Sequence, residues 1–241
     1  HLYLYSAGGN LIKQITKGQF EVKDFLGWDK KTNTYYYTSN EGSPLRSAVY
    51  KIDAKGRKTK LSVKEGTNRA IFSKSMKYYI NTFTNITTPP VITINDNTGK
   101  TLTTLVDNKR LVEKVANLHM PSKEFFTFTT SDGVELNGWM MKPANFDANK
   151  KYPVIMHQYS GPGSQRVLDQ WNIGSRSDGG MFEAYMADHG FISVCVDGRG
   201  TGGRGAEFEK CTYMNLGVKE ARDQVETALY LGTLPYVDAK N

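Results

Sequence analysis

The stretch Val154-Ile-Met-His-Gln-Tyr-Ser-Gly-Pro-Gly-Ser-Gln-Arg166 decides how the second half of this 241-residue chain is read. Tyr152 to Tyr159 is an apolar run of strand length, and Gly161-Pro162-Gly163 ends it abruptly. Turn residues that follow an apolar run so closely mark the exit of a buried strand. Working outward, Phe125–Thr130 and Val134–Met141 flank an Asp-Gly turn and read as a hairpin. Ser177 to His189 carries Met181, Phe182, Tyr185 and Met186 near helical spacing, with Gly190 placed to end the helix. Phe191 to Asp197 is a second apolar strand. Asn215 then stands where it could cap a helix in which Leu216, Ala221, Val225, Ala228 and Leu229 share a face. The order hairpin, strand, helix, strand, helix predicts a largely parallel sheet with helices on both faces. In such sheets chemistry gathers at the carboxyl ends of the strands. Tyr159 lies at one of those ends, and Asp197-Gly-Arg-Gly-Thr-Gly-Gly-Arg-Gly205 at another.

Residues 1 to about 117 follow a different grammar. Short runs rich in aromatic and β-branched residues, such as Leu2–Tyr5, Thr34–Thr38, Ala48–Ile52, Tyr78–Ile80 and Thr101–Val106, alternate with Gly, Asn and Asp turns. The turn glycines Gly9, Gly56 and Gly99 are 47 and 43 residues apart. A repeat of several strands at that period is the signature of β-propeller blades, and a single β-sandwich is the alternative. The expected fold is therefore α/β plus all-β. It comprises about two and a half blades of a partial β-propeller over residues 1–117, then an incomplete α/β-hydrolase domain over 118–241.

Composition excludes several classes. No run approaches the ~20 apolar residues of a membrane-spanning helix. The net charge of +7 comes from lysines scattered among acids, so nucleic acid is not an expected partner. Two cysteines exclude a disulfide framework, and Cys195 lies in a strand where thiols act as small hydrophobes. His1, His119, His157 and His189 have no metal-ligand spacing, so neither a metal nor any other cofactor is expected. Gly200-Thr-Gly-Gly-Arg-Gly205 matches G-x-G-x-x-G but does not follow the first strand of a βαβ unit, nor does it open a helix directly. A tight loop held by Asp197 and Arg199 is the competing reading. No serine has glycine at both −2 and +2, so the nucleophile elbow of a hydrolase is missing from these residues. The opening His-Leu-Tyr-Leu-Tyr5 suggests an internal piece of a longer chain. An apolar sheet edge would then be left to self-pairing or to further strands.

Tyr159-Ser-Gly-Pro-Gly-Ser-Gln165, Asp197-Gly-Arg-Gly-Thr-Gly202 and Leu234-Pro-Tyr-Val-Asp238 together resemble the prolyl oligopeptidase family. Thr16-Lys-Gly-Gln-Phe-Glu-Val22, Tyr36-Tyr-Thr-Ser-Asn-Glu41 and Met120-Pro-Ser-Lys123 are similar to its last blades and the entry to its peptidase domain. The resemblance implies a serine exopeptidase that releases N-terminal X-Pro or X-Ala dipeptides from peptide substrates, exported to the periplasm or cell surface, and a homo-oligomer at full length. It implies that Tyr159 donates a hydrogen bond in the oxyanion hole. A plain sheet-edge aromatic is the other reading of Tyr159. Tyr5 matches an aromatic lining the substrate pocket, or is an ordinary strand residue. The triad serine, aspartate and histidine and the anchors of the substrate's amino terminus have no counterpart here, so the 241 residues alone are predicted inactive. A related oligopeptidase or acylaminoacyl peptidase, or a non-catalytic peptide-binding propeller, are the alternatives.

Overall fold

The computed structural model describes residues 1–173 and 180–240, which divide into two compact units. The first comprises His1–Val112 with Leu168–Trp171, and the second Glu113–Val167 with Asn172 onward.

In the first unit, β1 (Tyr3–Tyr5) and β2 (Leu11–Gln14) form a hairpin. Four antiparallel strands follow in sequence order: β3 (Val22–Asp29), β4 (Thr34–Ser39), β5 (Ala48–Ile52) and β6 (Lys58–Lys60). A second antiparallel sheet is built from β7 (Thr67–Phe72), β8 (Tyr78–Asn85), β9 (Thr88–Asp96) and β10 (Thr101–Val106). Every residue of β4 is buried. Successive side chains of a strand point to opposite faces, so Tyr35 and Tyr37 join Ala48, Tyr50 and Ile52, while Tyr36 joins Val49, Leu61, Ala70 and Tyr79. The Tyr36, Phe72 and Tyr79 rings link the two sheets, with centroids 4.5 and 4.7 Å apart. Burial raises the phenol of Tyr79 to about 12 and pushes that of Tyr37 up as well. These rings therefore stay neutral and pack as hydrophobes.

Strands β3 and β7 were not expected from the sequence. Gly27 interrupts β3 at a shift of register, and Met76 fills the space its side chain would take. Pro89 and Pro90 read as a break, yet β9 runs through them. The pairing of β9 with β8 is irregular at that point and its pairing with β10 starts only at Ile92, so the missing N–H groups cost no ladder bond there. The short helix α1 (Lys109–Ala116) follows β10 and was also not expected.

The second unit has a sheet of order β11 (Ser122–Thr129), β12 (Glu135–Lys142), β14 (Ile192–Asp197), β13 (Val154–Met156). Only β13 and β14 pair in parallel, so among the described residues the sheet is mixed rather than largely parallel. The reason is that β14 takes the β11–β12 hairpin as its other neighbour. Val237 forms a parallel bridge with Tyr152 beside β13. Leu136, Met140, Ile192, Val194, Val196 and Leu231 make the core of this unit, and β12 and β14 are buried on both faces.

Three helices accompany the sheet: α2 (Met181–Asp188), α3 (Ala206–Lys210) and α4 (Val218–Gly232). The expected start of α2, residues 177–179, lies outside the described residues. Here the pattern reading of both long helices needs correction. In α2 the buried residues are Glu183, Ala184 and Ala187, while Met181, Phe182 and Tyr185 are exposed. In α4 they are Asp223, Thr227 and Leu231, and Leu216, Val225 and Leu229 face outward. The inward polar groups are satisfied, which offsets the cost of burying them. Asp223 pairs with Arg199, and the Thr227 hydroxyl donates to the Asp223 carbonyl at 2.7 Å. Asn215 is not the cap of α4. Gly217 holds that place at φ 87°, and its N–H donates to Glu220 Oε2 at 3.0 Å.

Candidate active site

β13 is shorter than the apolar run suggests. Its ladder ends at Met156, one further bond joins the His157 N–H to the Val194 carbonyl at 2.8 Å, and the chain then leaves the sheet. Tyr159 is reached two residues later and is 57% exposed, so its ring is not part of the core. The loop beyond it is closed on itself. The Ser164 hydroxyl donates to the Tyr159 carbonyl at 2.9 Å and to the Gly161 carbonyl at 2.5 Å. A Cβ on Gly161 would stand 2.8 Å from the Tyr159 ring, so glycine there gives the ring its place. The Arg166 guanidinium lies 5.1 Å from the ring centroid, within cation–π range.

The Asp197 loop grips the other end of the same segment. Both carboxylate oxygens of Asp197 accept the Arg166 N–H at 3.0 Å, and Oδ2 accepts the Val167 N–H at 2.8 Å. The indole N–H of buried Trp139 donates to the Arg166 carbonyl at 3.3 Å. The Gly202 N–H donates to the Ser164 carbonyl at 2.8 Å, and Gly202 lies close to the backbone of Gly163. The glycines of this segment let two loops approach backbone to backbone.

Behind the loops sits a charged cluster. Arg199, 8% exposed, donates through Nη2 to Asp223 Oδ1 at 2.5 Å, through Nε to both Asp223 oxygens at 3.1 Å, and through Nη1 to Asp132 Oδ2 at 2.8 Å. Its backbone N–H also reaches Asp223, at 2.7 Å. Asp223 and then Asp132 hold the guanidinium charged. The Thr130 hydroxyl and Arg199 hold the Asp132 carboxyl down at about 2.

The structure thus brings Tyr159, Asp197 and the glycine loop together. It places Tyr5 elsewhere, exposed on β1 in the first unit. Cys195 is buried in β14. His189 Nδ1 is 2.8 Å from the Tyr185 carbonyl on α2, and the two rings lie 4.1 Å apart. The hydroxyls of Ser160 and Ser164 donate to the Gln158 side chain and to loop carbonyls, so neither is paired with a base. Among the described residues no group of three or more His, Cys, Asp or Glu could hold a metal ion, and no helix is long and apolar enough to cross a membrane. Sequence reasoning missed Arg166, Trp139 and Asp223. Their partners lie 24 to 31 residues away in the chain, beyond any local spacing signal.

Comparison with known proteins gives the same picture over the chain's whole length. The family described as dipeptidyl peptidase IV (DPP IV) N-terminal region matches residues 1–90, and the prolyl oligopeptidase family matches residues 181–241. The crystal structure of Porphyromonas gingivalis dipeptidyl peptidase 4 superposes with a TM-score of 0.93 at 48% identity, over 99% of this chain and 33% of that one. The dipeptidyl peptidase 4 of Trichophyton rubrum is 32% identical over 95% of this chain and 30% of its own length. A protein of Arthroderma gypseum named "Probable dipeptidyl-aminopeptidase B" is 35% identical over 94% of this chain and 24% of its own length. The chain belongs to the prolyl oligopeptidase family of serine peptidases, on its dipeptidyl-peptidase-IV-like branch. It spans about a third of the length of these relatives or less. The antiparallel sheets of the first unit and the mixed sheet of the second fit a propeller and a hydrolase.

Proposed function

We propose that this chain belongs to a serine exopeptidase that releases N-terminal X-Pro or X-Ala dipeptides, and that Tyr159 supplies a hydrogen bond to the oxyanion. Residues 1–117 are then the last blades of a propeller, about two and a half of them, and residues 118–241 the first part of the peptidase domain. The observation that carries the reading is the exposed Tyr159 phenol beyond the carboxyl end of β13, on a loop tied down by Ser164 and Asp197. Attack on a peptide carbonyl builds negative charge on its oxygen, and a donor aimed there in advance contributes about 3–4 kcal/mol. A phenol donates one hydrogen bond while remaining neutral. The nucleophile, its histidine and aspartate, and the groups that bind the substrate's amino terminus come from parts of the protein other than these 241 residues. The intact protein is exported and works as a homo-oligomer.

In the intact protein, Tyr159→Phe lowers kcat roughly 10²–10³-fold with an unchanged Tm. An unchanged kcat removes the role given to the hydroxyl. The 241-residue chain alone hydrolyses no Gly-Pro chromogenic substrate and takes no fluorophosphonate label. Labelling at a serine within it would overturn the assignment of the nucleophile to another part of the protein.

A further inference from the structure

An exposed tyrosine has little packing to hold its rotamer, yet an oxyanion donor works only when its proton is aimed before the reaction starts. We propose that Arg166 is the positioning residue for Tyr159, bracing the phenol ring with its guanidinium. The proposal rests on the role given to Tyr159. Arg166 is suited to this because its own peptide is held at three points. Its N–H is bound by the 6%-exposed Asp197, its carbonyl by the fully buried Trp139, and the next N–H, that of Val167, by Asp197 again. From that fixed backbone the guanidinium reaches to 5.1 Å from the ring centroid. Ser164 fixes the backbone end of the tyrosine and Gly161 leaves the ring its space, so the arginine supplies the remaining contact at the ring itself. A planar cation at an aromatic ring restrains the ring without competing for its hydroxyl proton. The rigid core of the sheet is thereby connected to the phenol through one side chain.

The test uses the intact protein with a Gly-Pro chromogenic substrate and four variants: Arg166→Met, Arg166→Lys, Tyr159→Phe and the double variant Arg166→Met/Tyr159→Phe. Arg166→Met should lower kcat roughly tenfold with KM within about twofold and an unchanged Tm, because the donor is misaimed rather than removed. Arg166→Lys keeps a cation near the ring and should stay within about threefold of the parent. In the Tyr159→Phe background, removing the arginine should cost less than about twofold more, since no hydroxyl remains to aim. If Tyr159→Phe loses kcat but Arg166→Met does not, this proposal falls and the reading of Tyr159 stands. If Tyr159→Phe keeps its kcat, both fall. An arginine effect as large without the hydroxyl as with it also overturns the proposal. Should Arg166→Met fail to fold, Arg166→Lys decides: a loss of tenfold or more at native Tm overturns the proposal, and near-parent kcat supports it.

Discussion

Tyr37 in the first unit and Asp223 in the second are both 0% exposed, but they are buried on opposite terms. Tyr37 is surrounded by rings and aliphatic groups, and its hydroxyl has no hydrogen-bond partner among the described residues. Asp223 is surrounded by donors: the Arg199 guanidinium and backbone N–H both reach it. The first unit therefore depends on contact area, which many side chains share and no single polar bond controls. The rim of the second depends on a few directed bonds between charged groups, each of which needs its partner. A site that must hold a phenol and two loops in one geometry calls for the second kind of construction. Directed bonds fix positions, whereas ring packing tolerates small shifts.

The contrast can be broken most severely at Asp223. Asp223→Ala leaves the Arg199 guanidinium buried with half its partners gone and should cost about 3–5 kcal/mol in denaturant unfolding. A loss below about 1 kcal/mol would mean that the charged cluster is ornamental to stability. Gly161→Ala comes next. The new methyl would meet the Tyr159 ring at 2.8 Å, and a ring at the end of a side chain can swing away. Stability should hardly change, while kcat of the intact protein should fall by about 10-fold to 10²-fold as the hydroxyl is displaced.

A smaller effect is expected in acid. The Asp132 carboxyl titrates at about 2 in the folded protein and near 4 in an unfolded chain. Its contribution is fully present above about pH 4 and is lost as pH falls through 2. Asp132→Asn should therefore flatten the fall of Tm between pH 4 and pH 2. It should not abolish that fall, since the two hydrogen bonds from Ser131 depress Glu226 as well. The smallest change belongs to the first unit. Tyr37→Phe removes a buried hydroxyl without a protein partner and should leave unfolding free energy within about 1 kcal/mol of the parent, on the favourable side. A marked loss would show that a bond, and not the ring, holds β4.

Legibility followed the same division. β4, β5 and β10 and the hairpin of β11 and β12 stand within a residue or two of the runs read from the sequence, because aromatic and β-branched residues between turn signals report a local preference. β3 was hidden by Gly27, and the length of β9 by Pro89 and Pro90, where register shifts accommodate residues that normally end strands. Helix positions were legible while the faces of α2 and α4 were not. Amphipathic reasoning sends Val225 and Leu229 inward, but the tertiary partners of Asp223 and Thr227 reverse the helix.

Local chemistry in the chain was enough to set the strand that precedes Tyr159, the Gly-Pro-Gly exit that follows it and the glycines that let its loop meet the next one. Those depend on steric and turn preferences acting over a few residues. Which way the phenol points was decided only in three dimensions. Arg166, Trp139, Asp197 and Asp223 come from distant parts of the chain, and the bonds among them exist only once the sheet has assembled.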